Sequence, residues 1–218
     1  MKMNTNSNTY TIVYATIVVI IVAVLLAVVS QVLSPLQQAN VKLDQQKQML
    51  VALNQELGDD PAALYEALVR DTIKMDKDGK KADVLVFEVD GATKYVYRLH
   101  GAGLWGGIGG YLALNEDKNT IFGINFNHES ETPGLGALIV EKPFREQFNG
   151  KHIRNAEGNI VSVAVLKKGN AADGQEQVDA VSGATITSTG VSDMLKANLE
   201  EYVEYLKMEE IENVEPED

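Results

Sequence analysis

A threonine hydroxyl, a run of small residues and a helix start stand together in Asp179-Ala-Val-Ser-Gly-Ala-Thr-Ile-Thr-Ser188. Ser182, Gly183 and Ala184 precede Thr185; small side chains let a bulky group come close to the backbone, and glycine accepts the dihedrals of a tight turn. Beyond Ser188, the residues Val191, Leu195, Leu199, Tyr202 and Leu206 recur at spacings of four, four, three and four. That is one face of an α-helix. Thr187, Ser188 and Thr189 are all able to cap it. A phosphate just ahead of such a helix meets free backbone N–H groups and the positive end of the dipole. The local chemistry therefore suits a phosphate group held at Thr185, although the same residues also describe an ordinary capping loop.

Two further loops have the composition of a binding site. Residues 101–110, Gly-Ala-Gly-Leu-Trp-Gly-Gly-Ile-Gly-Gly, supply slim backbone around Trp105, the single tryptophan. The run lacks the Gly-Lys-Ser/Thr of a phosphate-cradling loop. Strand-like flanks make it a loop that shapes a pocket, with Trp105 either in the pocket wall or in the core. Thr132-Pro133-Gly134-Leu135 places proline second and glycine third, as a type II turn requires. His128, Glu129 and Glu131 lie close in sequence, but the helical His-Glu-x-x-His spacing is missing, and no metal site is expected. Lys167 and Lys168 close a strand-like run; neighbours on a strand face opposite ways, so only one of them can reach a site at Thr185.

Asp-x-x-Ser-Gly-Ala-Thr resembles the motif on which a flavin transferase esterifies FMN to threonine. Leu104-Trp105-Gly106, Gly110-Tyr111-Leu112-Ala113-Leu114 and the segment from His128 to Gly136 precede it. Their order is similar to that of the C subunit family of sodium-translocating NADH:quinone reductases, and the likeness extends from the N-terminal apolar segment to the last helix. The resemblance implies FMN bound covalently by a phosphoester to Thr185 and an electron-relay role. It implies a flavin site that includes Ser182, Gly183, Ala184, Trp105, Glu131, Thr132, Gly134, Leu135 and Lys167. Asp179 would belong to what the transferase recognises. Partners would be the other subunits of a membrane reductase complex, that transferase and membrane lipid. The G subunit of Rnf-type complexes shares Thr-Pro-Gly-Leu-Gly and Ser-Gly-Ala-Thr, but the Leu-Trp-Gly and Gly-Tyr-Leu-Ala-Leu pair favours the quinone reductase. A cofactor-free, membrane-tethered scaffold is the alternative from another class.

Bulk properties narrow the chemistry. The first 58 residues carry three lysines against two acids (+1), which leaves −13 for the remainder of a chain with net charge −12. An acidic body repels phosphate backbones, so nucleic acid is not an expected partner. With no cysteine in 218 residues, disulfides, thiolate nucleophiles and cysteine-ligated iron–sulfur clusters are excluded. Electrons that pass through this chain need an organic carrier.

No charged residue occurs between Lys2 and Lys42, and residues 12–33 are almost wholly apolar. These 22 residues, as a helix, span roughly 33 Å, the thickness of a hydrocarbon core. Only a helix satisfies a lone segment's backbone in lipid. The run is too long for a signal peptide and no Ala-x-Ala site follows, so an uncleaved anchor is expected. Charge is nearly silent on orientation. The family likeness implies residues 1–11 in the cytoplasm and the soluble part on the outer face of a bacterial inner membrane.

The elements that must position the three loops follow. Ser34-Pro35 reads as a cap and first-turn proline, opening a helical stalk with an apolar seam from Leu36 to Leu57. Asp60-Pro61 repeats the signal for a second helix through Leu64, Leu68 and Ile73, stopping at the turn 76–79. Strand-like runs occupy 84–89, 94–99, 111–114, 120–127 and 159–166, and a short helix covers 143–148. The fold class is α+β: a transmembrane helix (12–33), a stalk and second helix (34–79), and an FMN-binding domain (80–208) with a mostly antiparallel sheet flanked by helices. Residues 209–218, with six acids and no base, are expected to be a disordered tail. N-terminal sequencing of the mature protein should find a start before residue 20; a start after it would mean that the anchor is cleaved.

Overall fold

The computed structural model describes residues 8–77, 80–155, 157–172 and 176–212. The chain divides into two units, Met1–Gln45 and Gln46–Asp218. Helix α1 (Asn8–Ala52) runs unbroken through Pro35, where a helix restart was expected. Proline forfeits one helical hydrogen bond, but the apolar run before it and the seam after it both sustain helix. In the first unit this helix is long and apolar enough to cross a membrane, with side chains such as Ile17, Val19, Leu25 and Leu26 exposed.

The second unit begins with the last turns of α1. Gln46, Met49, Leu50, Ala52 and Leu53 are buried. The helix ends where Asn54 takes φ 54° and the Gln55 N–H reaches back to the Leu50 carbonyl at 2.9 Å, a left-handed cap that asparagine tolerates. Helix α2 (Pro61–Leu68) is capped by Asp60, whose carboxylate accepts from the Ala63 N–H at 3.0 Å. It is shorter than expected. Residues from Val69 onward form strand β1 (Val69–Lys77), and Ile73, expected on the helix, packs against the core from that strand. Antiparallel pairing with β2 (Lys80–Val89) outweighs local helix preference for this β-branched stretch. The turn expected at 76–79 includes residues 78 and 79, which lie outside the described residues.

Strands β1, β2, β3 (Ala92–Ala102), β4 (Gly107–Leu114) and β5 (Ile121–His128) form an antiparallel meander in chain order. Asp90 and Gly91, both with positive φ, make the two-residue turn from β2 to β3. Alternation divides the side chains between two faces. Tyr97, Leu99, Leu112, Leu114, Ile124 and Phe126 face one core, which includes Val191, Leu195 and Leu199 of helix α4 (Thr185–Glu212). Val96, Tyr111 and Ala113 face the other, against Met49, Ala52 and Leu53. The antiparallel sheet thus lies between helical layers, as the α+β expectation required. A short helix α3 (Lys142–Arg145) sends Phe144 into the first core beside Phe126 and Phe148.

The run 159–166 yields only a three-residue strand, β6 (Ala164–Leu166), which pairs in parallel with β7 (Gln177–Asp179). Ser162 interrupts it with φ 60°, while the N–H groups of Val161 and Ser162 both reach the Ile153 carbonyl. The acidic tail expected from residue 209 starts inside α4, which runs to Glu212; residues 213–218 lie outside the described residues.

Tyr202 fastens α4 to the sheet. Its hydroxyl donates to the Arg98 carbonyl at 3.1 Å, and its ring meets Tyr97 edge-on at 4.7 Å between centroids. Burial pushes the phenol up to about 12 from an ordinary 10.0. A raised pKa gives stability that is complete below the unfolded value and is lost as pH climbs through the folded one. Urea unfolding of the full chain in detergent should therefore show a loss of up to about 2 kcal/mol between those two values. Tyr202→Phe should reduce that slope, to which Tyr65 also contributes because burial raises it, and cost about 1 kcal/mol at pH 8 through the missing hydrogen bond.

Candidate functional site

Three loops converge on one buried carboxylate. Strands β3 and β4 join through residues 103–106, closed by the Gly103 N–H donating to the Gly106 carbonyl at 2.8 Å. The glycine run 101–110 is therefore the end of a hairpin, with Gly101 and Ala102 in β3 and residues 107–110 in β4. Glu131 lies just beyond β5 and is 4% exposed. One of its oxygens, Oε1, accepts from the Leu104 N–H at 2.7 Å and the Trp105 N–H at 3.0 Å. The other, Oε2, accepts from the Thr187 hydroxyl at 2.7 Å. Thr187 belongs to the first turn of α4, so its side chain faces inward. Two glycines make room for this carboxylate. A Cβ at Gly103 would sit 2.3 Å from Oε1, and one at Gly136 would sit 2.2 Å from Oε2 and 2.6 Å from the Thr187 hydroxyl.

The second loop is the type II turn anticipated at Thr132-Pro133-Gly134-Leu135. The Leu135 N–H reaches the Thr132 carbonyl at 3.1 Å, and Gly134 has φ 75°, which such a turn needs at its third position. Thr132 and Gly134 are exposed. Leu135 leans against the third loop, where a Cβ at Gly183, itself at φ 76°, would meet Leu135 Cδ2 at 2.9 Å. The motif Ser182-Gly183-Ala184-Thr185 thus packs beside the Thr132 turn.

Helix α4 begins at Thr185, three residues before the expected start. Thr187 and Ser188 are therefore not caps but buried first-turn residues. Ser188 Oγ instead accepts from the Val181 N–H at 3.2 Å, and Thr189 donates to the Thr185 carbonyl at 3.0 Å. Ala184 is buried, whereas Ser182 and Thr185 are exposed. Thr185 is the first helical residue, so the N–H groups of the first turn have no acceptor within the helix. The segments joined to this helix start leave apolar side chains in the open: Ile186 next to it at 60%, Trp105 on the hairpin end at 65% and Leu135 on the Thr132 turn at 42% exposure. Trp105 is accordingly not a core residue. An exposed hydroxyl at a helix start, with apolar side chains on the adjoining loops, can take a phosphate ester and a flat apolar ring.

Lys167 and Lys168 are exposed in the turn that follows β6. Asp179 organises that turn, its carboxylate accepting from the Gly169 N–H at 2.8 Å and the Ala171 N–H at 3.2 Å. The Ala180 N–H bonds the Leu166 carbonyl at 2.6 Å, which sets the backbone of the lysine turn beside the strand leading to Ser182. Among the described residues, neither lysine has an ion-pair partner, and no cluster of metal-ligand side chains occurs. Leu104, Ile186, and the spacing roles of Gly103 and Gly136 were not foreseen as site features, although all four lie within or beside the sequence motifs.

Burial pushes the Glu131 carboxyl up, but the bonds from Thr187, Trp105 and Leu104, with His128 nearby, outweigh it and hold it below its ordinary 4.5. A depressed pKa gives stability that is complete above the unfolded value and is lost as pH falls through the folded one. Burial pushes the Asp117 carboxyl up too, but its bonds from Thr120 and Asn119 outweigh it and hold it below its ordinary value, so the difference between variants is the informative quantity. Glu131→Gln should cost about 1.5–3 kcal/mol at neutral pH and flatten the loss of stability below pH 4.5; acid titration of unfolding free energy checks both.

Residues 103–200 match the family model for the FMN-binding domain, a range that contains all three loops. The C subunit of the Na(+)-translocating NADH-quinone reductase of Vibrio alginolyticus is 37% identical over 107 residues, or 49% of this chain and 41% of that relative. The Pasteurella multocida homologue is 38% identical over 104 residues, covering 48% and 39%. The matched stretch therefore spans about two fifths of these curated relatives. Among solved structures, Shewanella oneidensis NqrC aligns with a TM-score of 0.62 at 25% identity, covering 72% of this chain and 91% of that one. The C subunit of the Na(+)-translocating NADH-quinone reductase from Parabacteroides distasonis aligns with a TM-score of 0.74 at 38% identity, over 80% of this chain and 96% of its own. With the FMN-binding match across its three site loops, that likeness places the chain in the family of the C subunits of Na(+)-translocating NADH-quinone reductases.

Proposed function

We propose that this chain is an electron-relay subunit of a sodium-pumping NADH:quinone oxidoreductase, with FMN held by a phosphoester to the Thr185 hydroxyl. The observation that carries the reading is the exposed Thr185 at the first turn of α4, beside the exposed Trp105, Leu135 and Ile186, inside the range of the FMN-binding match. The residues fit the group. The first-turn N–H groups and helix dipole favour the phosphate. Trp105, Leu135 and the Thr132–Gly134 backbone offer a wall and polar edge for a planar ring, while Ser182, Gly183 and Ala184 keep the approach to Thr185 narrow. Lys167 supplies positive charge from the turn beside that loop. When bound, FMN accepts and releases electrons singly or in pairs, which suits a relay between one- and two-electron centres.

The protein's own part is to hold, orient and wall the cofactor. It has no visible NADH-binding motif and no charged residue within 12–33 that could bind sodium in the membrane, so those tasks belong to other subunits. A flavin transferase attaches the FMN. Residues 12–33 cross the bacterial inner membrane once, and the domain lies on the periplasmic side.

Protein from cells that express the transferase should carry FMN on the peptide 179–196 as a mass gain of one FMN less water, absent in Thr185→Ala. Colourless protein, or a gain that maps to Thr187, would refute the assignment. Trp105→Ala and Thr132→Ala should keep the flavin attached while changing its absorbance or potential, since a lost wall or hydrogen bond is worth on the order of 1–3 kcal/mol.

A further inference from the structure

We propose that Glu131 is a positioning residue of this site: it fixes the Trp105 loop and the Thr185 helix start in one arrangement without itself touching the flavin. The inference rests on the flavin reading above but goes beyond it in the role given to the carboxylate. Both oxygens are already engaged by the protein, Oε1 by the Leu104 and Trp105 amides and Oε2 by the Thr187 hydroxyl. The side chain is almost fully buried, whereas Trp105 and Thr185 are exposed.

The partners come from two segments, and the carboxylate from a third. The amides lie in the hairpin end between β3 and β4, the hydroxyl lies two residues after Thr185 on α4, and Glu131 itself precedes the Thr132 turn. One carboxylate therefore ties together the three loops that meet the apolar surface around Thr185. Residue sizes agree with this role. Gly103 and Gly136 stand where a methyl group would overlap the two oxygens, so the clamp forms only with glycine at both places. A carboxylate here also lies near the positive first turn of α4. His128 Nδ1 accepts from the Glu131 N–H at 3.3 Å, which holds the backbone of the clamp from β5.

The test uses the full-length protein, made with and without the flavin transferase. Trp105 is the only tryptophan, so its fluorescence anisotropy reports this loop in the flavin-free chain. Glu131→Ala, Thr187→Val and Gly136→Ala should each move amplitude from the slow to the fast component of the Trp105 anisotropy decay in the flavin-free chain. In the flavin-bearing protein each should shift the flavin midpoint potential and visible circular dichroism in the same direction, with FMN still attached. Glu131→Ala combined with Thr187→Val should shift them no further than either alone, because one clamp is lost only once. Thr187→Ser, which keeps the hydroxyl, should restore wild-type values. Leu53→Ala, in the core on the other face of the sheet, should lower the melting temperature and leave the potential unmoved.

Additive shifts, unchanged Trp105 anisotropy in Glu131→Ala, or the same potential shift in Leu53→Ala would overturn the proposal. Absence of flavin from the wild-type protein would overturn the flavin reading instead. The anisotropy arm would still decide whether the clamp exists.

Discussion

A carboxylate taken out of water must be met by hydrogen bonds, and the arrangement of this site follows from how Glu131 satisfies that demand. Its negative charge, with little solvent around it, is stabilised by two backbone amides and one hydroxyl. None of the three is near Glu131 in sequence, so ionised Glu131 cannot be buried unless the hairpin end and the start of α4 are both in place. Unmet, such a charge costs far more than any single contact contributes. The same bonds that keep the carboxyl ionised therefore make the loops interdependent. Loops are ordinarily the softest parts of a fold, and this one interaction gives three of them a common reference.

The sheet gives that reference its rigidity. Both flanks of the site grow out of it: β3 and β4 lead into the Trp105 loop, and β5 leads into Glu131. Tyr202 and Asn198 bind α4 to β3, the latter through paired bonds with the His100 backbone. Thr185 is thus carried by a helix that is packed on the core from Val191 to Tyr202, not by a free loop. On the opposite face, Met49, Ala52 and Leu53 in the last turns of α1 form part of the core.

Polarity is divided in a way that fits the proposed role. The domain is acidic and free of cysteine, so its surface neither attracts polyanions nor offers competing thiols. Trp105, Leu104, Leu135 and Ile186 remain exposed within this acidic body. Exposed apolar side chains on adjoining segments mark surfaces that a ligand or partner covers, as the proposed planar cofactor would.

Much of this was legible in the chain itself. Alternation marked strands β2 to β5, proline and glycine in order marked the turn at Thr132, and helical spacing marked the buried face of α4. These are local signals: each depends on residues a few positions apart, where backbone geometry alone dictates the outcome. The apolar length of residues 12–33 and the Ser-Gly-Ala-Thr motif are of the same kind. Other features were decided by contacts between distant segments. Whether Val69–Lys77 became helix or strand depended on pairing with β2. The helix passed through Pro35 because both flanks favoured it, and Ser162 broke a strand that its neighbours would have continued. The role of Glu131 was the least legible. Its sequence neighbours suggest a ligand facing a cofactor, and only the fold brings Thr187, 56 residues away, to the carboxylate and turns it inward. A hydrogen bond across that separation leaves no periodicity or spacing in the chain; it exists because the sheet and α4 bring the two residues together.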